Sequence, residues 1–208
     1  EYLLKDDYEG MVQVAKDQIK EGAHMLDICV AYVGRDEKKD MIEFVKRLNT
    51  QVYLPLMFDS TEYEVIEAAL ENYAGRAVIN SVNLEDGEER ISKILPLAKK
   101  FGAAVIALTI DEEGMAKSAQ KKLSIAKRIR DLAIHKYGSK TILGISNVSF
   151  GLNPEARHAL NSVFLYYAVQ SGLDLAIVHA SKIIPLNKID PRGRQLCEEL
   201  IFDKRVYV

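Results

Sequence analysis

The residues Thr141-Ile142-Leu143-Gly144-Ile145-Ser146-Asn147-Val148-Ser149-Phe150-Gly151 change character halfway along. Thr141 to Ile145 is a short apolar run with β-branched members, the pattern of a fully buried strand. Ser146, Asn147 and Ser149 then make the chain polar, and a helix is expected from Pro154. A buried strand ending in small hydrogen-bonding side chains, just before a helix, is how the working rim of a parallel α/β protein is built. There the loops after the strands carry the chemistry. The same three side chains would also satisfy a tight turn, and this stretch alone does not separate the two uses.

The same unit recurs on both sides of it. The apolar stripe of Met11, Val12, Val14, Ala15, Ile19 and Ala23 predicts a helix over 8–23, with Gly22 at its end. A strand follows from Met25 to Val30, then the loop from Ala31 to Asp36 and a helix over 37–49. The next strand runs from Val52 to Phe58 and ends in Asp59-Ser60-Thr61, before a helix over 62–73 with Gly75 beyond it. Ala77-Val78-Ile79 ends in Asn80-Ser81-Val82-Asn83, and a helix over 87–100 leads to a strand over 103–110 ending in Asp111-Glu112-Glu113-Gly114. A long helix over 117–136 precedes the opening strand. A helix over 154–171, a strand from Leu173 to Val178 ending in His179-Ala180-Ser181, and a last helix after Pro191 complete the chain.

Strand, polar tip and helix in repeated succession mean parallel strands joined by right-handed crossovers. Every strand reads as a continuous apolar run, so helices should cover the sheet. A doubly wound sheet and a barrel both fit. No glycine-rich fingerprint and no phosphate loop with a lysine follows any strand, which disfavours the nucleotide-binding sheets and favours a barrel.

Composition sets the outer bounds. With 208 residues there is room for one sizeable domain, and 48% hydrophobic with 28% charged residues is the balance of a soluble globular protein. A net charge of −2 argues against a general nucleic-acid or membrane-surface binder. No apolar run is long enough to cross a bilayer, and Glu1 to Gly10 does not read as a signal peptide, so a cytoplasmic setting is expected. Cys29 and Cys197 have no metal-like spacing and are expected to be buried small hydrophobes.

In a barrel all the tips converge on one face. Asp59-Ser60, Asn80-Ser81, Asp111-Glu112, Ser146-Asn147 and His179-Ser181 form a ring of amides, hydroxyls and a few carboxylates. The ring has no ligand cluster dense enough for a metal, and His179 has no evident serine or cysteine partner for nucleophilic catalysis. It does suit a flat heterocycle: an aspartate accepts two N–H bonds from an amino-pyrimidine edge, and asparagines both donate and accept. Bland uses stand beside each. Asp59 would serve as a helix cap, Asn80 as a turn residue, Asp111-Glu112-Glu113 as a solvated helix start, and Arg157-His158 as surface.

Five segments resemble one family, in its order and across almost the whole chain. They are LMFDST (Leu56 to Thr61), INSVN (Ile79 to Asn83), ALTIDEEGMA (Ala107 to Ala116), GISNVSFGL with LNSVFLYYA (Gly144 to Ala168), and IVHASKIIP (Ile177 to Pro185). They resemble the folate-binding domain of cobalamin-dependent methionine synthases and methyltetrahydrofolate:corrinoid methyltransferases, within the pterin-binding barrels that include dihydropteroate synthase. The resemblance implies a (β/α)8 TIM-type barrel, a single pterin-binding domain over 1–208. It would bind methyltetrahydrofolate by its pterin ring and present the methyl group to a Co(I) cobalamin (corrinoid) on a partner domain or protein. It assigns Asp59 to the amino-pyrimidine edge, Asn80 to a second pterin contact, and Asn147, as the catalytic residue, to the methyl-bearing nitrogen. Ser81, Ser146, Ser149, Asp111 and His179 are implied as further substrate-binding residues. No metal site is implied, no nucleic acid or membrane partner is expected, and a homodimer is open. The alternatives are a non-catalytic pterin-binding scaffold and a dihydropteroate synthase-like enzyme, although no lysine–arginine set for a diphosphate is found.

Departures from the family pattern are specific. Strands 1 and 6 of the barrel are missing: no Gly-Glu-Arg-Thr-Asn type segment precedes Tyr2, and no strand ending in Asp-Pro lies between Gly138 and Thr141. Ala31 stands where an acidic residue is expected. The expectation is that segments of a longer barrel are omitted from these 208 residues; a truly shortened barrel is the alternative. An intact mass above 23.4 kDa separates the two.

Overall fold

The computed structural model describes residues 1–83, 89–108 and 140–204. Asp111, the expected helix over 117–136 and the 138–139 junction lie outside the described residues. The chain divides into two compact units, Glu1–Met115 and Ala116–Val208.

The first unit alternates helices α1 (Tyr8–Lys20), α2 (Glu37–Gln51), α3 (Tyr63–Asn72) and α4 (Glu89–Phe101) with strands β1 (Leu26–Ile28), β2 (Leu56–Asp59), β3 (Val78–Val82) and β4 (Ala104–Ala107). The strands are parallel and lie in sequence order, β1-β2-β3-β4. Successive helices also touch in order, α1 on α2, α2 on α3 and α3 on α4. Right-handed crossovers that always step in one direction place every helix on the same face of the sheet. A doubly wound sheet reverses direction and covers both faces, so this arrangement is that of a barrel wall.

Local signals explain the helix starts. The Asp7 carboxylate accepts from Gly10 N at 2.8 Å and caps α1, and Asp36 accepts from Lys39 N at 3.0 Å and caps α2. Gly22, at φ +92°, takes the left-handed turn after α1. Met41, Leu48, Leu56, Phe58, Ile66 and Ile79 are fully buried between the helices and the sheet face they cover, each contributing roughly 1.5–3 kcal/mol. Tyr8 Oη donates to the buried Asp40 carboxylate at 2.7 Å, and Arg35 Nε reaches the same group at 2.6 Å, tying α1 to α2.

Three expectations change. β2 begins at Leu56 rather than Val52, because Pro55 has no N–H for the ladder; its carbonyl accepts from Leu26 N at 3.0 Å. Asn80 and Ser81, expected just past a strand, lie within β3. The strands are not uniformly buried: β1 buries Leu26 and Ile28 but leaves Asp27 exposed, and β4 exposes Ala104 and Ala107 while Ile106 is buried. In β1 this follows the two-residue alternation of a sheet with helices on one face; in β4, Ala104 and Ile106 share a face and the difference lies along the strand instead.

In the second unit, β5 (Ile142–Gly144) pairs in parallel with β6 (Leu175–Ile177), flanked by α5 (Pro154–Gln170) and α6 (Pro191–Ile201). Asn153 caps α5 by accepting from Ala156 N at 2.9 Å, and Asp190 caps α6 by accepting from Gly193 N at 2.8 Å; each precedes a proline at the first helical position. Ile145, Leu160, Val163, Phe164 and Ile201 form the core. The expected buried strand Thr141–Ile145 is buried at its ends, while Ile142, Leu143 and Gly144 between them are partly exposed. Asp174 fastens its start by accepting from Thr141 N and Thr141 Oγ1, both at 3.0 Å. Those bonds and Lys140 hold its carboxyl below the usual range.

Neither described cysteine is a buried hydrophobe. Cys29 is exposed, on the same side of its chain as Asp27, and Cys197 is half-buried; both are free thiols. Among the described residues no helix is long and apolar enough to cross a membrane.

Candidate functional site

The C-terminal ends of β1, β2 and β3 bring three polar side chains onto the sheet face opposite the helices. Asp59 pairs with Asn80 across β2 and β3, and Asp27 pairs with Met57, two residues before Asp59. The two-residue period of a strand therefore puts Asp27, Asp59 and Asn80 on one face, while their neighbours Ile28, Phe58 and Ile79 are buried on the other.

The electrostatics of this group are coupled. Asn80 is hydrogen-bonded to the Asp27 carboxylate. The Asp27 side chain reaches solvent but is crowded by protein; this desolvation, reinforced by the charge of Asp59, pushes its pKa up to about 6, and the Asn80 bond pulls it back down. Burial, and then the charge of Glu37, raise Asp59 above the usual carboxylate range. Glu37, the first residue of α2, accepts from Ser60 Oγ at 2.6 Å, and Ser60 Oγ accepts from Glu62 N at 3.1 Å.

The bland uses of Asp59 and Asn80 do not apply. The residue before α3 is Glu62, and it makes no side-chain cap bond, so Asp59 is not spent on the helix. Asn80 is a strand residue bonded to Asp27 rather than a turn former. Ser81 gives its carbonyl to Arg90 Nε at 2.8 Å. Desolvated carboxylates beside an amide make a surface rich in acceptors, suited to a ligand edge bearing several N–H groups.

In the second unit, β5 runs directly into a 3₁₀ turn, Ile145–Ser149. Ser146 and Asn147 are exposed on it, and Phe150 just after is 89% exposed. The Asn147 amide folds back over Gly144: a Cβ placed on Gly144 would lie 3.2 Å from Asn147 Nδ2. Ser149 is fully buried, donating to Ser146 O at 3.0 Å and accepting from Arg157 Nε at 3.3 Å. Its hydroxyl is thus spent holding the turn, and Arg157 braces that turn instead of standing free at the surface. His179 precedes the 3₁₀ turn Ala180–Lys182, with Nδ1 and Ser181 Oγ 2.9 Å apart. The order of strand tips read from the sequence is therefore kept in both units, and Asp111 lies outside the described residues.

Asp27 is the one site residue absent from the sequence reading. Its signal was a single carboxylate in an otherwise apolar run, Met25-Leu26-Asp27-Ile28-Cys29-Val30, which is costly on a covered face and cheap only on an open one.

Parallel strands in sequence order with helices on one face define a barrel-type α/β protein. A family model described as "Pterin binding enzyme" matches residues 1–138 and 112–179, and the chain belongs to this pterin-binding family. Similar relatives are the methionine synthase of Mycobacterium tuberculosis (strain ATCC 25618 / H37Rv), 44% identical over 250 positions, and that of Mycobacterium leprae (strain TN), 42% identical. The alignments cover 99% of this chain but only 21% of either relative, so the chain spans about a fifth of their length. An alignment of 250 positions against a chain of 208 residues also means that the relatives hold internal residues with no counterpart here. Among solved structures, dihydropteroate synthase from Stenotrophomonas maltophilia superposes with a TM-score of 0.59 at 17% identity, covering 98% of this chain and 90% of that one. The Xanthomonas albilineans enzyme gives 0.59 at 18%, covering 100% and 89%. These two establish the shared fold.

Proposed function

We propose that this chain binds 5-methyltetrahydrofolate by its pterin ring and presents the methyl group to a corrinoid. The observation that supports the reading is the set of Asp27, Asp59 and Asn80 on one sheet face across three adjacent strands, in a chain 99% of which aligns with methionine synthase. Asp59, desolvated and short of donors, would accept the two N–H bonds of the amino-pyrimidine edge, and the ligand would supply the compensation that water no longer gives. Asn80, anchored to Asp27, would offer its remaining amide capacity to the ring. In the second unit the reading gives Asn147 the methyl-bearing nitrogen. When the C–N bond breaks its electron pair stays on that nitrogen, which needs a proton, taken up from solvent, to leave as a neutral amine. An amide can donate to the nitrogen before protonation and accept from its N–H after it without itself changing charge. Ser146 and His179 would line the same loops, with Ser149 supporting them from beneath. A corrinoid carried on a partner domain or protein would supply the nucleophile to which the methyl group passes.

Calorimetric titration with methyltetrahydrofolate tests the binding half: heat with a saturable isotherm is expected, and no heat at millimolar ligand overturns it. Transfer from bound methyltetrahydrofolate to added cob(I)alamin, followed by its absorbance, tests the second half. Binding without any transfer would leave the scaffold reading in its place.

A further inference from the structure

Arg90, the second residue of α4, spans two loops of the first unit. Its Nε donates to Ser81 O at 2.8 Å and its Nη2 to Ser60 O at 2.7 Å, while Nη1 donates to Thr61 O. Three arms of one guanidinium are thus used on three backbone carbonyls. Two of these follow Asp59 and the third follows Asn80, the residues facing each other at the ends of β2 and β3. Among the described residues no carboxylate pairs with Arg90. The ladder bond joining the two strands at this level, Ser60 N to Asn80 O, is long at 3.3 Å. Past that point the donors to Ser60 O, Thr61 O and Ser81 O come from the guanidinium.

We infer that Arg90 is a positioning residue that locks the β2 and β3 loops together, so that Asp59 and Asn80 meet a flat ring at matched heights. The inference rests on the pterin reading of those two residues. Its action is geometric: the charge that moves Asp59 is that of Glu37, and Arg90 works through a planar fork with fixed donor directions. A lysine keeps the charge but has a single ammonium, which cannot span three carbonyls on two loops. Nothing in the sequence marks this role, since Glu88-Glu89-Arg90 reads as an ordinary charged helix start.

The test compares wild type with Arg90→Lys and Arg90→Ala, well below their unfolding temperatures. Amide hydrogen exchange of residues 59–62 and 80–82 is measured without ligand, and methyltetrahydrofolate affinity by calorimetry. Both variants are expected to exchange faster at these amides and to bind about tenfold more weakly, the loss of roughly one well-made hydrogen bond. Methylguanidine should restore affinity to Arg90→Ala in part. Wild-type affinity in Arg90→Lys would overturn the inference by showing that charge suffices, and unchanged exchange in both variants would overturn it by showing that the loops hold themselves. If wild type gives no heat with methyltetrahydrofolate, the pterin reading fails, and the exchange data still decide whether Arg90 locks the loops. Should Arg90→Ala not fold, Arg90→Lys carries both measurements.

Discussion

A half-buried carboxylate to which no described residue donates is an acceptor held in waiting, and Asp59 is such a group. Asp59→Asn removes the charge and turns half of the acceptor into a donor, so methyltetrahydrofolate should bind more weakly by roughly 1.5–3 kcal/mol, measured by calorimetry. Asn147→Ala should act differently, lowering methyl transfer to cob(I)alamin far more than affinity; equal loss in both would mean that Asn147 only holds the ring. Gly144→Ala tests the same amide from below. Gly144 sits at φ −75°, which any residue adopts, so the substitution stores no backbone strain, but its methyl would press on Asn147 Nδ2 at 3.2 Å. Transfer should fall while the melting temperature stays nearly unchanged. At this scale the sequence was legible wherever a polar residue closed an apolar run, as at Asp59, Asn80 and Asn147. It was not legible for Asp27, which lies inside such a run and is exposed on the sheet face away from the helices, at β1, where the described sheet ends.

Among elements, α1 and α2 show how the helical layer is fastened. Asp40 is 2% exposed and accepts from Tyr8 and Arg35 at 2.6–2.8 Å, which keeps its carboxyl below the ordinary range, Arg35 being the main cause. Arg35→Met leaves that buried charge with one donor and should cost on the order of 3 kcal/mol, read from urea unfolding. Asp40→Asn in the same background should recover part of it. Helices were legible as elements chiefly through their apolar positions, and four of them, α1, α2, α5 and α6, also carry a capping side chain in Asp7, Asp36, Asn153 and Asp190, whereas α3 has none. The strands are shorter than their apolar runs, for reasons the runs do not contain. Pro55 trims β2 by lacking a donor, and the turn at Ile145–Ser149 takes the last apolar residue of the opening stretch. The choice between barrel and doubly wound sheet depended on which face the helices take, a property of the order of neighbours that no single segment carries.

At the scale of the molecule, the raised pKa of Asp27 has a sign that runs against the usual acid denaturation. Its folded value of about 6 lies above the ordinary 3.8, so between these values the folded protein binds more protons than the unfolded chain. Stability therefore rises as pH falls from about 6 toward 3.8, and the ionised form above 6 is the costly one. Asp59 is shifted in the same direction. Asp40, Asp174 and Glu198 are shifted down by their partners and hold their contribution until the pH falls below their ordinary values. Melting temperatures across this range should show a rise on mild acidification that Asp27→Asn reduces, leaving the part that Asp59 contributes. Methyltetrahydrofolate affinity should move the other way, weakening as Asp27 and Asp59 gain protons, so that ligand and acid stabilise the protein at each other's expense.

The alternation in β1 places a constraint on how such a chain can diverge. Leu26 and Ile28 face the helices and Asp27 faces away, so odd and even positions belong to different jobs, one structural and one chemical. Lengthening or shortening a loop by any number of residues leaves that parity intact. A single insertion within the strand reverses it, sending the acid into the core or a leucine or isoleucine onto the opposite face in one step. Insertions and deletions tolerated by functional variants should therefore gather in the connections and be absent from the three residues of β1.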